Sequence, residues 1–101
     1  MEIAFIVLKG RKLAVPDDPE FFQVHGTWRL RLHEPNATAY LKLEDLDGPL
    51  LQLAASRAVV VWEAKEKKLA RSSYDTIAQG REMAWKADEC RRYAEEWRAL
   101  T

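Results

Sequence analysis

A single cysteine, Cys90, is all that 101 residues contain, so no intrachain disulfide can form and a disulfide-stapled scaffold is excluded. Long apolar runs are missing too. The longest, Ile3 to Leu8 and Ala58 to Trp62, fall far short of the roughly 20 residues a helix needs to cross a bilayer. The N-terminus shows no basic leader with a small-residue cleavage site. Together with the lone cysteine, this predicts a cytoplasmic protein. Neither sign of charge is in excess: 16 Lys and Arg balance 16 Asp and Glu, whereas a nucleic-acid module usually carries a clear basic surplus.

Motifs that carry chemistry are absent as well. There is no glycine-rich phosphate loop, no G-x-S-x-G elbow and no H-E-x-x-H zinc helix. Only two histidines occur, His25 and His33, and a zinc site needs about four ligands. Asp45-x-Asp47-Gly48 lacks the further oxygen ligands and closing Glu of a calcium loop, and predicts a turn. Cys90 sits on an apolar stripe, which predicts an inert packing cysteine and not a nucleophile. The chain is therefore expected to be no enzyme and to need no metal or cofactor.

What is present is the composition of a folded domain: nearly half the residues are hydrophobic and a third are charged. One domain over residues 1–101 is predicted, mainly β over 1–70 and helical over 71–100. The fold class is α+β: a small antiparallel or mixed sheet of four to six strands, followed by a C-terminal helical region packed on one face. Residues 2–8 read as a buried strand, Lys9-Gly10-Arg11 as a tight turn, and Lys12 to Val15 as its returning strand. Pro16 to Pro19 reads as a loop, and Phe21 to His25 as a further short strand. The clearest signal spans 27–44. Trp28, Leu30 and Leu32 alternate with Arg29, Arg31 and His33, and Ala39, Leu41 and Leu43 alternate with Tyr40, Lys42 and Glu44. Pairing His33 with Thr38 across Glu34 to Ala37 puts Leu30 opposite Leu41 and Trp28 opposite Leu43, so both strands turn their apolar residues the same way.

Val59-Val60-Val61-Trp62 is the strongest strand signal by propensity. From Ser72 on the pattern is helical, opening on the S-x-x-D start of Ser72 and Asp75. Gly80 interrupts it. Tyr74, Ile77 and Trp85 lie on one face and are better placed to cover the sheet. Met83, Ala87, Cys90, Ala94 and Trp97 lie on another, with the alternating spacing of a helix–helix seam. Trp85 and Trp97 are roughly 120° apart around the helix, so one of the two tends to be left for another chain.

Two binding surfaces follow. The first is the seam Met83, Ala87, Cys90, Ala94 and Trp97, expected to take a protein partner or a second copy of the chain. On this basis the chain is expected to be a small non-catalytic interaction module of adaptor, inhibitor or assembly type. The alternative is nucleic-acid or anion binding on the polar face of the 27–44 hairpin. There Arg31 faces Tyr40 and Arg29 faces Lys42, a like-charge pair that Glu44 diagonally, an external anion or an acidic partner can relieve. No membrane partner is expected.

Overall fold

A computed structural model describes residues 3–34, 37–71 and 75–101, with the backbone alone for 32–34 and 37–39. It is an α+β fold whose antiparallel strands precede its helices. The strands are β1 (Ala4–Leu8), β2 (Arg11–Val15), β3 (Phe21–Val24), β4 (Thr27–Glu34) and β5 (Ala37–Lys42). A 3-10 turn at Leu43–Asp45 leads to α1 (Gly48–Arg71), and α2 (Ile77–Arg98) closes the chain. Two compact units result, Met1–Ala54 and Ala55–Thr101, with the boundary inside α1.

In the first unit β1 pairs with β2, and β3, β4 and β5 form a separate three-stranded sheet. Two hairpins close on X-Gly pairs. Lys9 and Gly10 take φ of 53° and 76°, and His25 and Gly26 take 50° and 78°. Positive φ at both central residues marks type I′ turns, whose twist matches the flanking strands. These turns fix register, joining Leu8 to Arg11 and Val24 to Thr27. The β4–β5 register agrees with the hydrophobic pattern: His33 pairs with Thr38, Arg31 with Tyr40, Leu30 with Leu41 and Arg29 with Lys42. It stops there. The predicted Trp28–Leu43 pair does not form, because Leu43 leaves the ladder to begin the 3-10 turn and is fully buried. The predicted turn at 34–37 includes Pro35 and Asn36, which lie outside the described residues. Leu13, Ala14, Val15, Phe21, Leu30, Leu43 and Leu46 supply most of this unit's core.

The helical part begins far earlier than residue 71. Val59 to Trp62, predicted as a strand, lies inside α1. Strand propensity is a weak force beside burial periodicity. Leu51, Ala54, Ala55, Ala58 and Trp62 are the buried residues of α1, at three- and four-residue spacing that only a helix keeps on one side. At the head of α1 an Asp47 carboxylate oxygen accepts the Gly48 amide at 2.8 Å. Thr76 caps α2, its hydroxyl accepting the Gln79 amide at 3.0 Å. This replaces the predicted start at Ser72, which lies outside the described residues. Gly80 falls in the first turn of α2 and breaks nothing; its amide donates to the Thr76 carbonyl at 3.0 Å.

Candidate functional site

Strand β4 gives its sheet two unlike faces. Leu30 and its neighbour Phe21 are buried on one. The register puts Phe22, Arg29, Arg31, Tyr40 and Lys42 on the other. Arg29 is flanked by Phe22 on β3 and Lys42 on β5, and Arg31 lies beside Tyr40. The Arg31 guanidinium carbon stands 5.5 Å from the centre of the Phe22 ring and 5.5 Å from that of Tyr40. The two rings meet edge to face at 5.4 Å and 87°. Each cation–π contact at such a half-exposed place contributes about 0.5–1 kcal/mol, and together they hold the guanidinium and both rings in one arrangement. Among the described residues, no carboxylate forms an ion pair with Arg29, Arg31 or Lys42. Tyr40 remains 54% exposed.

All four residues that the sequence assigned to this face therefore come together on it, and the structure adds Phe22. The signal for Phe22 was present. A two-residue turn at His25-Gly26 pairs Val24 with Thr27 and hence Phe22 with Arg29.

The predicted partner seam lies elsewhere. Ala87, Cys90, Ala94 and Trp97 are buried within the chain, Trp97 completely, and Met83 is half-buried. In the second unit α1 runs against α2. The Trp62 and Tyr93 rings meet at 5.0 Å, and Arg98 of α2 forms an ion pair with Glu63 of α1. The seam residues Ala87, Cys90, Ala94 and Trp97 are thus covered by the chain itself, on the helix whose Tyr93 meets Trp62 of α1. The Cys90 thiol is part of this seam. Burial pushes its pKa up, with Lys65 opposing it, the opposite of an activated nucleophile.

The face of α2 expected to cover the sheet is the open one. Ile77 is 78% and Trp85 58% exposed, so the two tryptophans have exchanged their predicted places. Tyr74 lies outside the described residues. A shallow depression of about 290 Å³ lies beside Lys9, Glu44 and Asp47. Lys9 and Asp47 neutralise each other across it at 2.8 Å, and this pair with the Gly48 amide draws the Asp47 carboxyl below its ordinary pKa. Among the described residues no group of three His, Cys, Asp or Glu side chains could hold a metal ion, and no helix is long and apolar enough to cross a membrane.

No protein family model, no curated protein and no solved structure matches this chain.

Proposed function

We propose that the chain is a small non-catalytic binding module of the cytoplasm, and that it grips a polyanionic partner with the cationic face of the β3–β5 sheet. One observation carries this reading: Arg29 and Lys42 stand directly opposite each other across β4 and β5, with Arg31 one pleat further along, and no carboxylate pairs with any of them among the described residues. Like charges facing each other across a strand pair are destabilising. A bound anion turns that cost into affinity. Several cations elsewhere are neutralised locally, as Lys86 is by Glu82 at 3.4 Å and Arg91 by Asp88 at 2.8 Å.

Retention on immobilised inorganic polyphosphate tests the proposal. Binding should weaken as sodium chloride rises. The double change Arg29→Gln and Lys42→Gln should weaken it several-fold, while Lys67→Gln with Arg81→Gln, on exposed helix positions, should not. Equal loss in both pairs, or no salt-sensitive retention at all, overturns it.

A second reading keeps the C-terminal helix as a protein-binding element, now through its Ile77 and Trp85 face. The exposure of Trp85, a residue type enriched among interface hot spots, favours it. Light scattering of the unaltered protein beside Trp85→Glu tests for self-association, and a monomer at all concentrations removes the second copy as partner.

A further inference from the structure

Resting on the polyanion reading, we infer that the ligand of the β3–β5 face is single-stranded nucleic acid, with phosphates along Arg29, Arg31 and Lys42 and a base stacked on Tyr40. The cations alone do not select a ligand, since a polyphosphate or an acidic peptide neutralises them equally well. The rings do. Tyr40 is 54% exposed in the midst of the charged groups, and a purely ionic ligand has no use for it. Every base offers a π face, so an aromatic set among cations is the combination that holds unpaired strands with little regard to sequence.

The arrangement is also pre-organised. Phe22 braces Tyr40 edge-on at 5.4 Å, and Arg31 packs within 5.5 Å of both rings. Little side-chain freedom remains for a ligand to remove. Arg29 and Arg31 project from the same side of β4 about 6.8 Å apart along the strand, and Lys42 widens the positive strip at the Arg29 end. The paired positions of that face on β3 and β5, Phe22, Val24, Tyr40 and Lys42, include no carboxylate; Glu20, whose carbonyl accepts the Arg31 amide at 2.8 Å, borders the face at the Arg31 end. A duplex suits this surface poorly, because its bases are stacked on one another and none is free for Tyr40.

Fluorescence anisotropy with three labelled probes of equal length tests the inference: an oligothymidylate, the same sugar-phosphate chain without bases, and a duplex. The oligothymidylate should bind about five- to a hundred-fold more tightly than the abasic chain, the range a stacked base provides. Tyr40→Ala should bring the oligothymidylate down toward the abasic affinity without altering its salt dependence, and Tyr40→Phe should retain full affinity. Lys42→Gln should lower the salt slope by about 0.7 for both single-stranded probes. Equal binding of the oligothymidylate and the abasic chain overturns the inference and leaves the polyanion reading standing, as does tighter binding of the duplex. Salt-insensitive or absent binding of every probe overturns both. The abasic comparison uses the unaltered protein, so it decides the matter even if Tyr40→Ala fails to fold.

Discussion

Gly26 holds a φ of +78°, whereas Gly80 sits in the first turn of α2 with no such demand, and nothing stands within 4 Å of a Cβ built at either position. Sterics against neighbours therefore cancel from the comparison, and only the backbone decides. An L side chain in the left-handed region costs about 1–2 kcal/mol, so Gly26→Ala should destabilise the fold by about that much. In a helix, alanine is about 1 kcal/mol better than glycine, so Gly80→Ala should stabilise it by up to that amount. Urea denaturation of the two variants reads both effects, and shifts of the same sign would contradict the assigned backbone at one of the two sites. The same logic applies to Lys9 and His25, non-glycine residues with positive φ, which the hairpin twist holds in place. His25 thus has a conformational task in the turn.

Val60 and Trp62 separate a helix from a strand at the scale of the element. In a strand, residues two apart share a face. In α1, Trp62 is 1% exposed and Val60 56%. Val60→Lys should therefore change stability by no more than about 0.5 kcal/mol, while Trp62→Ala should cost about 3–5 kcal/mol by opening a cavity under Tyr93. A large loss from Val60→Lys would restore the strand. Legibility followed the same distinction. Where one face is buried and turns are short, pattern and turn chemistry dictate register, and the β4–β5 pairing with Arg29, Arg31, Tyr40 and Lys42 on one face was readable from alternation alone. In α1 three consecutive valines carried strand propensity, and the helical spacing from Leu51 to Trp62 became visible only over a window longer than the valine run. That single misreading propagated. With residues 57–63, the middle of α1, reading as a strand, the Met83 to Trp97 seam has no helical mate in its own chain and points to a partner, and Trp85 turns inward. The two helix faces were separated correctly by periodicity, but which of them faces inward is set by the mate, and α2 alone does not contain that information.

For the whole molecule, a formal charge of zero conceals an uneven distribution. On α2 the charges pair along the helix: Glu82 with Lys86 at 3.4 Å, Asp88 with Arg91 at 2.8 Å and Glu89 with Arg92 at 3.8 Å. Such exposed pairs add little stability, but they flatten the local field and leave Trp85 and Ile77 as the salient chemistry of that helix face. On the β3–β5 sheet Arg29, Arg31 and Lys42 form no ion pair among the described residues. The two surfaces must therefore respond to salt in opposite directions. Added salt screens charges separated by more than the Debye length, about 10 Å at 0.1 M, so polyanion binding should fall steadily with sodium chloride. Sulfate strengthens apolar burial by being excluded from protein surfaces, so any association through Trp85 should rise with ammonium sulfate and disappear in Trp85→Glu. Sedimentation of the protein with polyphosphate across a sodium chloride series, and of the protein alone across an ammonium sulfate series, measures both. Because local charge and not net charge drives the first process, polyphosphate binding should persist at pH 8, where the whole chain, with a sequence isoelectric point near 6.7, is negative. Loss of binding on crossing from pH 6 to pH 8 at constant ionic strength would mean that net charge, and not the Arg29, Arg31 and Lys42 face, is the source of attraction.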